Sequence, residues 1–252
     1  MSGHSKWATI KHKKEMTDNK RGQLFTKLTR EITVAAREGG PDQDSNFRLR
    51  LAVQRAKGES MPAENIKRAI ERGAGGPGGG ANYEEVTYDG MGPGGTAFIV
   101  AALTDNRNRT VAEVRAAFTR GGGSLGESGS AGWLFDTMGH ITVEVDPKKD
   151  MDEAELLAID AGAEDVERDD DERILEVYTA FTDLKAVTDQ LTAAGLNVTS
   201  SEKAMVPKST VQLNEDKTQQ ILKLIDRLEE LDDVQQVYSN LELSDAQLAA
   251  LG

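Results

Sequence analysis

Between residues 18 and 39 the apolar side chains recur at helical spacing. At about 100° per residue, Leu24, Phe25, Leu28, Ile32, Ala35 and Ala36 fall within one arc of roughly 120°. Lys20, Lys27, Arg30 and Arg37 fall in a separate arc. Thr17 or Asp18 can cap the start, and Gly39-Gly40-Pro41 is a strong stop. The pattern predicts an amphipathic helix with an apolar face for a core and a cationic stripe for something else. A second helix is expected after Asp44 and Ser45, through Phe47, Leu51 and Val53, to Gly58. A third is expected from Pro62, with Glu64 in its first turn and Ile66, Ala69 and Ile70 buried before Gly73. Residues 1–72 therefore read as a three-helix domain carrying a basic arm.

Residues 73–80, GAGGPGGG, read as a linker, and beyond it the period changes. Strands are expected at 83–91 and 95–104, joined by a tight turn at Gly92-Pro93-Gly94-Gly95, followed by a helix at 109–120. A glycine-rich turn from Gly121 leads to a strand around Trp133 to Phe135. Then come strand 140–145, helix 150–161, strand 163–168, strand 173–181, helix 184–194 and strand 197–206, broken by Pro207. This order, βαββαβ, is the ferredoxin-like split arrangement. A last helix near 216–231 and a strand at 234–238 have no complete domain of their own, so they are expected to return to the sheet begun at Tyr83. The expected class is α+β, a helical domain followed by two α/β domains. One of these, the ferredoxin-like domain at 138–206, is inserted in the other, which is split between 81–137 and 207–252.

Charge changes the picture. The chain of 252 residues has 30 basic and 43 acidic side chains, a net of −13. Residues 1–76 hold 16 Lys and Arg against 9 Asp and Glu, and the rest hold 14 against 34. Such a reversal of sign concerns partners rather than fold. The basic head attracts a polyanion, the acidic body repels it, and encounter is head first. The absence of cysteine excludes disulfides, thiolate metal sites and a cysteine nucleophile. The longest apolar run, Ala97 to Leu103, is too short to span a bilayer, and no apolar stretch follows the basic N-terminus as in a secretory signal. A cytoplasmic protein is the expectation.

Tests for catalytic chemistry come back empty. The G-x-G-x-x-G matches at Gly73/Gly75/Gly78 and Gly121/Gly123/Gly126 follow helices, whereas dinucleotide binding needs a strand before and a helix after. His4, His12 and His140 lack metal-ligand spacing, and Ser128 misses the G-x-S-x-G elbow by one residue. Asp169-Asp170-Asp171-Glu172 reads as a solvated hairpin turn. No enzyme, metal or cofactor is called for. The βαββαβ sheet also fails as an RNA platform by pattern: its third strand offers Tyr178 and Phe181 on opposite faces by alternation. Arg107 and Arg109 could reach phosphate beside a helix N-terminus, or could simply flank a helix capped by Asn108.

The runs SGHSKWATIKHKKE, RGQLFTKLTREI, DGMGPGGTA, TDNRNRTVAEVR and GSLGESGSAGWLF together resemble the YebC family, and the likeness runs from Ser2 through DDVQQVYSN. Met91 departs from it, since the family commonly has an aromatic beside the glycine-proline turn, which weakens any stacking role there. The resemblance implies three domains with an inserted ferredoxin-like unit, in a cytoplasmic bacterial protein labelled a transcriptional regulator that binds DNA. A similar mitochondrial protein is a translational activator for a cytochrome oxidase subunit, and bacterial relatives are connected with ribosomes stalled on proline runs.

Three functions follow. The first is a DNA-binding regulator, against which stands the lack of helix-turn-helix spacing or a dimer seam; a monomer is expected. The second is a ribosome-associated translation factor. Its contact residues would be His4, Ser5, Lys6, Trp7, Lys11, His12, Lys13 and Lys14 on the arm. Lys20, Arg21, Lys27 and Arg30 would continue the track on the first helix, with Arg107 and Arg109 as further candidates. Long basic arms and bare glycine turns suit irregular RNA. The third is a protein adaptor in which the arm is incidental.

Overall fold

The structure, a computed structural model, describes residues 18–76, 82–244 and 246–248. In chain order its elements are α1 (Asp18–Gly39), α2 (Phe47–Gly58), α3 (Ala63–Gly73), β1 (Glu84–Met91), β2 (Ala97–Thr104), α4 (Arg107–Arg120), β3 (Ser124–Leu125), β4 (Phe135–Glu144), α5 (Met151–Asp160), β5 (Asp165–Asp169), β6 (Ile174–Ala180), α6 (Leu184–Ala193), β7 (Asn197–Pro207), β8 (Val211–Gln212), α7 (Glu215–Glu229), β9 (Val234–Ser239) and β10 (Leu241–Glu242). The class is α+β, with N-terminal helices followed by two sheet-containing domains. By packing, the described residues of 1–31, 78–136 and 206–252 form one compact unit, and those of 32–77 and 137–205 form a second.

In the first unit the sheet order is β3-β1-β2-β9. β9, encoded after the whole βαββαβ segment, pairs antiparallel with β2 through Phe98↔Ser239, Ile99↔Tyr238 and Val100↔Val237. The late helix and strand thus complete the early sheet. One sheet face packs on α4 and α7 through Val114, Phe118, Ile221, Leu224, Ile225 and Leu228, all buried. Each such side chain contributes about 2 kcal/mol by leaving water. Phe98 meets Phe118 edge to face at 5.6 Å. Gly90 makes room for that ring, since a Cβ there would run into Phe118.

In the second unit the order is β5-β6-β4-β7, the ferredoxin-like order, over a core of Ile141, Val143, Leu175, Val177, Val187 and Leu191. β7 is an edge strand, and α2 covers it. Gln54 Nε2 donates to the Val198 carbonyl at 2.8 Å, Arg55 pairs with Glu202 at 3.2 Å, and Phe47 packs onto the core. The helix thereby shields part of that edge from pairing with another chain.

Local chemistry moved several boundaries. α2 is capped by Asn46 rather than by Asp44 or Ser45: its buried amide accepts from Leu49 N at 3.0 Å and donates to the Ala35 and Gly40 carbonyls at 2.7 Å. One side chain thereby closes α1 and opens α2. α4 is capped by Asn106, not Asn108, through a 3.1 Å bond from Arg109 N, which puts Arg107 inside the first turn. Trp133 lies not in a strand but in a short helical turn, Gly132–Leu134, and the strand begins at Phe135.

Candidate nucleic-acid interface

The cationic stripe of α1 divides along its length. Lys20 and Arg21, in the first turn, are exposed. Lys27 and Arg30, two turns on, are drawn against the end of α7. Lys27 Nζ donates to the Glu229 carbonyl, Gln23 Nε2 to the Glu230 carbonyl at 3.4 Å, and Arg30 Nη1 to the Asp232 carbonyl. The last carbonyls of a helix have no intrahelical partner and carry its negative end, so a cation there is doubly favoured. The arginine also lies over the Tyr83 ring, 5.6 Å from its centroid.

Beyond that helix end stands Asp233, whose side chain is only 2% exposed. It accepts from Arg30 Nη1 at 2.8 Å, Arg109 Nη2 at 2.7 Å, Thr110 Oγ1 at 2.7 Å and Thr104 Oγ1 at 3.2 Å. Burial by itself would raise this carboxyl. The hydrogen bonds from Thr110 and Arg109 and the charges of Arg30 and Arg109 outweigh it, and hold the group below its usual range. A buried carboxylate without such partners would cost several kcal/mol by order of magnitude, and two arginines meet that cost here.

In this geometry half of the α1 stripe and Arg109 of α4 are engaged within the fold. Arg30 and Arg109 are occupied by Asp233, with Asp105 also 2.8 Å from Arg109, and Lys27 is occupied by a carbonyl. The physical reason is that unpaired carbonyls and a buried carboxylate hold a cation more firmly than solvent does. Arg107 differs: its 2.8 Å pair with Glu84 is exposed on both sides and exchanges cheaply. His4, Ser5, Lys6, Trp7, Lys11, His12, Lys13 and Lys14 lie outside the described residues.

The glycine turns meet each other. β3 pairs with the end of β1 through Met91↔Ser124, and a Cβ on Gly123 would stand 2.5 Å from the Met91 carbonyl. Gly94 has φ +73° with Leu213 packed against it, so that turn admits no side chain without strain. Gly121 packs on Leu224, which makes the second G-x-G-x-x-G a packing device. From there residues 126–132 are held by Asp89, 4% exposed, whose carboxylate accepts from Ala131 N at 2.8 Å and Gly132 N at 3.0 Å.

The ferredoxin-like sheet does not display stacking aromatics. Tyr178 is buried, stacked on His140 at 5.0 Å, and Phe181 has left the strand for a short helical turn. His140 Nε2 lies 2.6 Å from Glu176 Oε2, which also accepts from Thr142. Burial would lower this imidazole, but the Glu176 bond and the charges of Glu176, Glu202 and Glu167 raise it above its ordinary value. Among the described residues no group of three or more His, Asp or Glu could hold a metal, and no helix is long and apolar enough to cross a membrane.

Asp233, Asp89 and the exposed Trp133 were not singled out in the sequence. The signal available for Asp233 was slight: an acid between a helix end and a strand, where polar residues are ordinary.

Comparison with known proteins agrees with this fold over 95% of the chain. Residues 5–76 match the TACO1/YebC protein N-terminal domain, and residues 83–241 match the TACO1/YebC second and third domain. A protein of Herpetosiphon aurantiacus named a probable transcriptional regulatory protein is 57% identical over 245 residues, 97% of this chain and 96% of the relative. One of Dehalococcoides mccartyi, similarly named, is 54% identical over 242 residues, 96% of this chain and 95% of the relative. The crystal structure of a conserved hypothetical protein from Aquifex aeolicus, 46% identical, superposes with a TM-score of 0.86 over 95% of this chain and 97% of that one. With both family regions matched in order and relatives identical at more than half their positions, the chain belongs to the TACO1/YebC family.

Proposed function

We propose that the protein is a non-enzymatic, cytoplasmic, nucleic-acid-binding regulator of gene expression, monomeric and without a cofactor. The observation that carries the reading is the reversal of charge along the chain, 16 basic against 9 acidic residues in the first 76 and 14 against 34 afterwards. The gripping element is the basic arm and helical domain (1–72), joined by the 73–80 linker to the split domain (81–137 with 207–252) and its insert (138–206). Contacts are assigned to His4, Ser5, Lys6, Trp7, Lys11, His12, Lys13 and Lys14, continued by Lys20 and Arg21 and flanked by Arg107. Lys27, Arg30 and Arg109 brace the fold. The relatives' name, probable transcriptional regulatory protein, supports transcription as the process, and DNA is the ligand of this first reading.

A second reading, a ribosome-associated translation factor, is favoured by two observations. α2 lies against the β7 edge, with Gln54 bonded to the Val198 carbonyl and Arg50 and Arg55 facing Asp189 and Glu202, which leaves it poorly placed to enter a major groove. Within the glycine turns, Gly95 and Gly129, where an added Cβ would meet nothing, also present backbone without side chains, which suits folded RNA.

Affinity for random-sequence duplex DNA and for ribosomal RNA, measured over a salt series, tests the proposal. Affinity falling steeply with salt for at least one of them supports it, and weak, salt-insensitive binding to both refutes it. Sedimentation of lysate separates the readings, because a translation factor travels with ribosomal particles and a promoter-binding protein does not.

A further inference from the structure

Trp133 is the most exposed large apolar side chain among the described residues, at 68%. An indole left in water is ordinarily mobile, yet this one is held. Its ring N–H donates to the Ser130 carbonyl at 3.1 Å, and the backbone just before it is clamped by the buried Asp89 carboxylate through Ala131 N and Gly132 N. A further bond, Gly126 N to the Asp89 carbonyl at 2.8 Å, closes the start of the loop on the same residue. The ring is therefore fixed on a rigid turn, with its only donor already used. What it offers a partner is its π-face.

The surroundings select the partner. Residues 126–130, Gly-Glu-Ser-Gly-Ser, are exposed and carry little bulk, so the loop beside the ring offers no large apolar side chain for a protein-docking surface. A planar ligand can approach closely, and the serine hydroxyls can serve its polar edge. Lys208 is adjacent: its N–H donates to the Leu134 carbonyl at 2.8 Å, and its ammonium lies 3.2 Å from Asp136, with both side chains about half exposed. Such a pair is exchangeable, and the ammonium is available to a phosphate.

We propose that Trp133, on the Asp89-clamped loop, is a stacking platform for one unpaired nucleobase, with Lys208 taking the adjoining phosphate. The proposal rests on the nucleic-acid reading above and narrows it to strands with accessible bases.

The test compares the full-length protein with Trp133→Ala and Trp133→Phe, by fluorescence anisotropy of labelled single-stranded RNA and DNA 12-mers, the matching duplexes, and an abasic 12-mer. Trp133→Ala should weaken single-strand binding about five- to a hundred-fold, the range for one lost base–aromatic stack, while Trp133→Phe keeps most of it. The salt slope should not move, and duplex and abasic binding should be unaffected. Thermal melting should be unchanged, since the ring is mostly in water. Single-strand binding unaltered by Trp133→Ala, or reduced equally for the abasic strand, overturns the stacking proposal while the nucleic-acid reading stands. If the parent binds none of these polymers, both fall.

Discussion

Arg30 and Asp233 stand 2.8 Å apart across 203 residues of sequence, and the same carboxylate holds Arg109 at 2.7 Å. A helix near the start of the chain is thereby tied to the turn before the last long strand of the first unit. Removing the carboxylate should take the anion from Arg30 and leave Arg109 only its more exposed pair with Asp105. Asp233→Ala is expected to destabilise the protein by about 3 kcal/mol, read as a shift in the urea midpoint. Arg109→Ala, whose side chain is 42% exposed, should cost about 1 kcal/mol.

The same carboxylate sets an acid limit. Its pKa is lowered in the folded state, so its contribution is present above the ordinary carboxylate pKa and is lost as pH falls through the folded value. Stability measured from pH 6 downwards should therefore fall less steeply in Asp233→Asn than in the parent. Identical slopes would show that the pair is not formed as described.

His140 works in the opposite direction. Its pKa is raised, so its ion pair with Glu176 stabilises fully below the ordinary imidazole value of about 6.5 and is lost as pH rises through the folded value. Glu176→Gln should flatten the decline in stability on the alkaline side of that value. Titration of the His140 ring by NMR should show an apparent pKa above that of a free imidazole, falling in the Gln variant.

Gly90 is required by the ring opposite it, because a Cβ there would meet Phe118. Gly90→Ala should cost about 1–3 kcal/mol by overpacking, visible as a lower melting temperature. Gly22, with open space around it, should accept alanine at little or no cost and serves as the control.

These residues also mark what a reader of the sequence could have reached. The patterns of α1, α3, β2 and α7 gave their positions within a few residues, because the helices repeat their apolar residues at helical spacing and β2 is a short apolar run buried on both faces. The return of β9 to the sheet of β1 and β2 was legible from leftover elements, since a lone helix and strand cannot bury their apolar sides. The caps at Asn46 and Asn106 were missed, as neighbouring Asp44, Ser45 and Asn108 are equally good cap residues and only tertiary bonds choose among them. The occupation of Lys27, Arg30 and Arg109 was illegible for a related reason. A basic residue bonded to a carbonyl some 200 positions away looks, in sequence, the same as one facing solvent. Charge patterning reports the number of cations, whereas tertiary packing decides which remain outside.

The account therefore turns on a division within one helix, with outer cations for a polyanion and inner ones for the fold, and the salt dependence of nucleic-acid binding tests it most directly. Combined Lys20→Ala and Arg21→Ala should reduce the slope of log affinity against log salt by about 1.5–2 and leave the melting temperature unchanged. Arg30→Ala should lower the melting temperature and leave the slope of the still-folded protein intact. A slope unmoved by the first pair and reduced by the second would contradict the account.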